Sequence, residues 1–196
     1  MPKVAYSEAE RQRIREELVA AALDLMVRQG IRHTTVEQVY RAAGISRTFF
    51  YTFFPTKEDL VVEAFYRQQP KVLDFARHCL EDCPWREGVA NFLRACCAGP
   101  GGGLAVMTVE EQQALFRRLS PETRRGFREK QAELFNGLLR CFGVRPSRER
   151  AALFTNLSLS VMVLRRAVPD ALPFLVPEAA DAAMAIQIRT IVDLLD

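Results

Sequence analysis

The fold of this chain is decided by residues 30–60, which read GIRHTTVEQVYRAAGISRTFFYTFFPTKEDL. Two short segments in this stretch favour helices, and the link between them is Ala43-Gly44-Ile45-Ser46. A turn of that length, with a glycine in it, is typical of a helix-turn-helix. The sequence therefore predicts this motif at about residues 34–53.

Capping residues predict where the helices of this stretch begin. Thr34 and Glu37 have the spacing of a capping box, which predicts a helix over residues 35–43. Ser46 is a suitable N-cap for the second helix, and Thr56 is a suitable N-cap for a third. Caps this closely spaced indicate small helices separated by sharp turns.

The second helix has one polar face. Arg47, Thr48, Tyr51 and Thr52 lie on it at the spacing i, i+1, i+4 and i+5. The opposite side is apolar and can pack against the preceding helices through Phe50, Phe53 and Phe54. A short polar helix face can enter the major groove of DNA and contact base edges. The pattern therefore indicates a DNA-binding head.

The segment resembles the DNA-binding domain of the TetR family of bacterial transcriptional regulators. The residues that carry the resemblance follow the family's order and spacing: Thr34-Thr35-Val36, Ala43-Gly44-Ile45-Ser46, Phe50-Tyr51, Phe54, and Lys57 with Leu60. The usual family residues are replaced at Tyr40, Thr48 and Phe49. The resemblance covers about residues 7–66 and implies a helix-turn-helix domain there, followed by a larger helical ligand-binding and dimerisation domain over 67–196.

The resemblance also implies a role for each matching residue. Thr35, at a helix start, would hold a phosphate through its hydroxyl and the helix N-terminus. Arg47 would contact a guanine edge, and Thr48 and Thr52 would offer hydroxyl or methyl contacts to bases. Contacts to backbone phosphates would come from Tyr51 and Lys57.

The whole chain is predicted to be all-α. Ser7 and Glu10 form a capping box at the start of a long amphipathic helix that Gly30 can end. A further capping box is formed by Thr108 and Glu111. Later helices are predicted near residues 57–68, 70–81, 85–98, 109–119, 121–142, 147–167 and 177–195. No segment shows sustained strand alternation.

Composition excludes several classes of protein. The 196 residues are 49% hydrophobic and 26% charged with a net charge of +3, which is ordinary for a globular protein. No signal-peptide pattern or membrane-length apolar run is present, so we expect a cytoplasmic protein. His33 and His78 are the two histidines and have no recognisable catalytic partner or metal-ligand spacing. We therefore predict no catalytic residue, no metal and no cofactor, and an enzyme on a helical scaffold is a remote alternative.

The family resemblance implies a ligand cavity in the second domain. The apolar content favours a hydrophobic or aromatic small molecule. The candidate wall residues are Phe75, His78, Trp85, Phe92, Phe116 and Phe135. The same aromatics at helical spacing are also compatible with an ordinary core.

Two apolar stripes near the C-terminus predict a dimer interface. One runs along the penultimate long helix through Leu153, Leu157, Val161 and Leu164. The other runs along the last helix through Met184, Ile188, Ile191 and Leu195. Two such helices from each subunit would form a four-helix interface, whereas the alternative is that both stripes face their own subunit's core. Dimers are the usual state of helix-turn-helix proteins that read two half-sites.

The functional expectation is a ligand-responsive, sequence-specific regulator. In its fullest form it is a homodimeric repressor that a hydrophobic small molecule releases from a palindromic operator. The alternative is a DNA-binding sensor of thiol oxidation or metal, because Cys79 and Cys83 share a helix face at i, i+4. Against it stand five cysteines without a Cys-x-x-Cys motif, which are better interpreted as inert thiols.

Overall fold

The computed structural model describes residues 6–97, 103–167 and 176–196. Within these ranges the regular structure is helical and contains no strand, so the all-α prediction is confirmed. The helices are α1 (Glu8–Gln29), α2 (Val36–Ala42), α3 (Arg47–Phe50), α4 (Lys57–His78), α5 (Trp85–Cys97), α6 (Val109–Arg118), α7 (Pro121–Cys141), α8 (Arg148–Ala167) and α9 (Ala180–Leu195). A 3-10 turn, Pro177–Ala179, leads into α9.

Most helix starts are those that the capping residues predict. Ser7, Ser46, Thr56 and Thr108 each accept a hydrogen bond from the backbone N–H three residues later. Such a bond satisfies one of the N–H groups that a helix start leaves unpaired. The predicted cap of α2 is wrong, because the N-cap of this helix is Thr35 and not Thr34.

The reason for the shift at α2 is that Thr34 has another partner. Thr34 is buried, and its hydroxyl donates to the carbonyl of Gly30 at 2.8 Å, which closes the loop after α1. Thr35 is therefore the free threonine, and it forms the capping box with Gln38. Spacing alone could not separate two neighbouring threonines.

A single helix, α4, replaces the two that were predicted near 57–68 and 70–81. Pro70 lies inside it and is exposed. A proline within a helix costs about 3 kcal/mol. Burial on both sides of it offsets this cost, because Leu60 and Ala64 pack in one hydrophobic cluster while Val72 and Ala76 pack in another. The helix also runs across residue 66, so the two predicted domains share it.

The two hydrophobic clusters divide the molecule between the two ends of α4. The first cluster joins α1, α2, α3 and the start of α4, together called the head, around the fully buried Leu18, Phe50 and Phe54. Leu115 of α6 and Phe127 of α7 also belong to it. The second cluster joins the end of α4 to α5, α7, α8 and α9. The α6 helix thus packs on the head although it lies far along the chain.

The predicted dimer stripes are corrected at four positions. Val161, Ile188, Ile191 and Leu195 are at most 5% exposed and belong to the second cluster of their own chain. They are buried because α8 and α9 pack against each other and α9 also packs on α5. Four members of the stripes stay partly accessible: Leu153, Leu157, Leu164 and Met184. No helix among the described residues is long and apolar enough to cross a membrane.

Candidate functional site

The recognition surface is the polar side of α3 and of the turn that follows it. Ser46 Oγ accepts from the N–H of Phe49 at 3.2 Å and so fixes the start of this one-turn helix. The N–H of Thr52 then bonds to the carbonyl of Phe49 at 3.0 Å, which continues the helical path beyond α3. Arg47, Thr48, Tyr51 and Thr52 are all exposed on this path. The structure therefore brings these four predicted residues together at the surface.

Aromatic packing beneath α3 holds that surface in place. Phe50 is fully buried, and the Phe49 ring meets the Phe53 ring edge-on at 5.0 Å. Tyr6, just before α1, stacks on Phe49 at 4.8 Å. The guanidinium of Arg15 lies 4.6 Å from the centre of the Phe54 ring. Sequence reasoning missed Tyr6 because no helical period links it to α3.

Arg47 is an exposed arginine of the head whose guanidinium is free for a ligand. Arg13, Arg28 and Arg41 are each paired with an acidic residue on their own helix. In the described part of the chain, no hydrogen bond or ion pair engages the Arg47 guanidinium. An exposed, unpaired guanidinium keeps its five donors available for a base edge or a phosphate.

The other two predicted DNA contacts already have partners within the chain. The hydroxyl of Thr35 accepts from the N–H of Gln38 at 3.2 Å, as expected of a cap. The half-buried Lys57 ammonium donates to the carbonyl of Ile31 at 2.9 Å and ties the loop before α2 to α4. Burial lowers the pKa of Lys57, and the carboxylates of Glu58 and Glu111 oppose that shift. Phosphate binding by Thr35 and Lys57 remains a prediction.

A cavity of about 200 Å³, here called the central cavity, lies between α4, α5, α6, α7, α8 and the segment before α6. Of the predicted wall residues, Phe92, Phe116 and Phe135 line it. The other residues of the wall are Phe65, Gln68, Gln69, Val72, Leu93, Cys96, Leu104, Ala105, Val106, Met107, Gln112, Phe127, Gln131, Leu134, Leu138, Phe154, Ser158, Leu159 and Met162.

The remaining three predicted wall residues are outside the central cavity. Phe75 packs on the Phe92 ring at 5.9 Å, behind the wall. His78 is exposed, and its Nδ1 lies 2.9 Å from a carboxylate oxygen of Glu81. Trp85 Nε1 donates to the carbonyl of Phe142 at 2.8 Å. Aromatic content could not distinguish these packing positions from the wall.

One glutamine fixes the wall of the cavity. Gln68 of α4 is buried, and its Nε2 donates to the carbonyl of Ala105 at 3.0 Å. Its Oε1 accepts from the N–H of the same residue at 2.6 Å. This pair of bonds attaches the segment before α6 to α4. The sequence contained a signal, because Gln68 interrupts the apolar i, i+4 series Leu60, Ala64 and Val72.

The α6 helix contacts both the central cavity and the head. Gln112 and Phe116 line the cavity. On the other side, Glu111 accepts from the backbone N–H of Arg32 at 2.7 Å, in the loop before α2. Arg118, at the end of α6, pairs with Glu58 of α4 at 2.9 Å. A movement of α6 would therefore act directly on the loop that precedes the helix-turn-helix.

The cysteines give no support to a sensing site. Cys83 Sγ donates to the carbonyl of Cys79 at 3.0 Å, and burial raises the pKa of the Cys79 thiol. A raised pKa keeps the thiol protonated and unreactive. No group of three or more His, Cys, Asp or Glu side chains that could hold a metal ion occurs in ranges 6–97, 103–167 and 176–196.

Comparison with known proteins places the similarity first in the head. A family model described as "Bacterial regulatory proteins, tetR family" matches residues 18–64. The HTH-type transcriptional regulator SrpR of Pseudomonas putida is 34% identical over 88 residues, which are 44% of this chain and 41% of that protein. The HTH-type transcriptional regulator TtgW, also of Pseudomonas putida, is 34% identical over 88 residues, which are 44% of this chain and 66% of that protein. The chain thus spans less than half the length of the first relative.

Solved structures match over nearly the whole chain. A TetR-family transcriptional regulator from Cytophaga hutchinsonii has a TM-score of 0.62 at 14% identity and covers 97% of this chain and 96% of its own. The structure of Salmonella enterica GusR has a TM-score of 0.58 at 20% identity, with coverage of 95% and 96%. At these identities the likeness shows a common fold, and it extends through the helices that surround the central cavity.

Proposed function

We propose that this chain, whose residues 18–64 match the TetR family model, is a TetR-family regulator and works as a homodimeric, effector-responsive repressor that reads a palindromic operator. The matching family and the curated relatives are transcriptional regulators, not enzymes. The observation that carries the proposal is the recognition surface, where Arg47, Thr48, Tyr51 and Thr52 are exposed together on a rigidly packed helix.

Each residue of that surface has a role that its chemistry supports. The free Arg47 guanidinium can bond bidentately to guanine O6 and N7, and Thr48 can contact a neighbouring base through its hydroxyl or methyl group. The Thr52 hydroxyl donates to the Phe49 carbonyl at 2.7 Å, which leaves its methyl group and one lone pair for a base. Tyr51, 43% exposed, suits a phosphate contact that fixes the register.

The partner in the dimer is proposed to cover α8 and α9. These two helices pack together, and each carries a large exposed apolar side chain, Leu153 at 42% and Ile186 at 62%. Burying such side chains between two copies is favourable, and a twofold axis would repeat the recognition surface. Two recognition helices about 34 Å apart would read half-sites one helical turn apart.

The effector is proposed to bind in the central cavity and to act through α6. Its wall includes Gln112 and Phe116 of α6, while Glu111 of the same helix bonds to the loop before α2. A ligand that fits only one position of α6 shifts the population of head arrangements by its difference in affinity for them. In the repressor hypothesis, the ligand-favoured arrangement no longer matches the operator spacing.

The experiment that tests the proposal is a binding selection with the full chain and a randomised DNA duplex library. We expect recovered sequences to share an inverted repeat and the affinity to fall steeply with salt concentration. Light scattering on the complex should give an even number of chains for each duplex. Recovery of sequences without a shared motif at moderate salt would contradict the proposal.

A further inference from the structure

The wall of the central cavity carries no charge. None of the described residues that line it is Asp, Glu, Lys, Arg or His. Five of them are phenylalanines of α5, α6, α7 and α8: Phe92, Phe116, Phe127, Phe135 and Phe154. A charged ligand would lose its hydration here without gaining a partner, and that loss is much larger than the loss for a neutral ligand. The occupant favoured by the wall is therefore neutral and has an aromatic or similar apolar ring.

The cavity volume limits the size of that occupant. At about 200 Å³ it is larger than an apolar cavity of about 150 Å³, which is known to take up benzene. A molecule of one ring or of two fused rings fits this range. Larger ligands would require the wall to move.

Three of the four glutamines of the wall already have hydrogen-bond partners, and the fourth, Gln131, is only partly buried. Gln68 is satisfied by both backbone groups of Ala105. Gln69 Nε2 donates to the carbonyl of Lys130 at 3.1 Å, and Gln112 donates to that of Met107 at 3.4 Å. These side chains fix the shape of the cavity more than they offer binding groups to a ligand.

Ser158 is different. Ser158 lines the cavity and is only 2% exposed, and its Oγ has no hydrogen-bond partner in the described part of the chain. Its neighbours on α8 behave otherwise, since Thr155 and Ser160 each donate at 2.7 Å to the carbonyl four residues earlier. A buried hydroxyl without a partner is costly, and a partner supplied by a ligand removes that cost.

We propose that Ser158 is the polar anchor of the effector site, and that the effector is a neutral one- or two-ring molecule with one hydroxyl or carbonyl group directed at Ser158 Oγ. This inference rests on the proposed function, because it names the ligand class of the same site. The serine hydroxyl can donate to a carbonyl and can also accept from a hydroxyl.

The test uses three probes of similar shape: naphthalene, 2-naphthol and 2-naphthoate. At pH 7 the phenolic 2-naphthol is neutral and 2-naphthoate is an anion. Equilibrium dialysis against the full chain, read by the fluorescence of the naphthyl ring, gives each dissociation constant. We expect 2-naphthol to bind about fivefold or more tightly than naphthalene, because one hydrogen bond contributes about 1 kcal/mol. The anion should bind more weakly than naphthalene.

Two variants assign the effect to the serine. Ser158→Ala should remove the advantage of 2-naphthol over naphthalene and leave naphthalene bound as before. The control Ser160→Ala changes an exposed serine on the same helix and should keep the wild-type ratio. Circular dichroism melts confirm that both variants fold.

Three outcomes overturn the inference: an anion that binds as tightly as 2-naphthol, an unchanged ratio in Ser158→Ala, or no binding of any probe. DNA affinity without probe is measured in parallel. Intact operator binding alongside any of these outcomes would reject the ligand class and leave the DNA-binding proposal standing. If the probes bind as expected but the chain shows no specific DNA binding, the DNA-binding proposal is rejected and the ligand class stands.

Discussion

Replacing Gln68 by leucine tests whether one buried amide holds the wall of the central cavity. In the native chain Gln68 forms two hydrogen bonds with the backbone of Ala105, which is itself only 3% exposed. Leucine has a similar size but neither a donor nor an acceptor. The variant therefore leaves the N–H and the carbonyl of Ala105 buried without partners.

The magnitude follows from those two groups. Each buried, unsatisfied backbone group costs about 1–3 kcal/mol. The better burial of an apolar side chain offsets about 1 kcal/mol of the sum. We expect Gln68→Leu to lower the free energy of unfolding by about 1–5 kcal/mol. With a urea slope of roughly 2 kcal/mol per molar, the midpoint should fall by about 0.5–2.5 M.

Urea unfolding followed by circular dichroism measures this change. The matched control is Gln69→Leu, which removes a single, exposed hydrogen bond to the carbonyl of Lys130 and should lower the free energy of unfolding by about 0.5–1 kcal/mol. Equal midpoints for the two variants would refute the reasoning, because they would show that the Gln68 pair contributes no more than a surface bond.

Three further predictions concern packing, assembly and the thiols. Gly88→Ala should lower the free energy of unfolding by about 1–3 kcal/mol, because the added Cβ would overlap the Cys79 carbonyl oxygen. The control Gly126→Ala should raise it by about 0.5–1 kcal/mol, because its added Cβ would lie 3.9 Å from the nearest atom. Thermal melts compare the two variants. The double variant Leu153→Asp, Ile186→Asp should halve the molar mass seen by light scattering, and an unchanged dimer would place the interface elsewhere. Because burial raises the pKa of the Cys79 thiol, mild peroxide should leave operator affinity unchanged in the wild type and in Cys79→Ser, whereas a loss confined to the wild type would revive thiol sensing.

The parts of the fold that depend on local chemistry could be predicted from the sequence. Caps and left-handed glycines define helix ends through nearby atoms, as at Ser46, Thr56 and Gly44, which has a φ of 66°. Where two residues competed for a role, spacing failed, and Thr35 rather than Thr34 caps α2. Pro70 remained inside α4 because burial at both ends outweighs a local cost that the sequence shows plainly.

The parts of the site that depend on tertiary contacts were only partly predictable. The polar face of α3 follows from helical period, so its four exposed residues could be identified in advance. Tyr6 and Ser158 could not be identified in this way. Tyr6 acts through Phe49, which is distant in the sequence, and Ser158 stands out because its buried hydroxyl has no partner among the described residues. Heptad spacing placed Ile188 at a dimer interface, yet the same period also describes a helix face that packs in its own core, where Ile188 lies.

The central claim, that α3 reads DNA bases, is tested most directly by measuring affinity for the selected operator and for each of its single-base variants by fluorescence anisotropy. Wild type is compared with Arg47→Ala and with Arg94→Ala, which removes an exposed arginine of α5 outside the head. The account predicts that Arg47→Ala loses about 1–3 kcal/mol on the operator and loses discrimination at one base pair in each half-site, while Arg94→Ala matches wild type. An equal loss on operator and random DNA, or no loss at all, would contradict it.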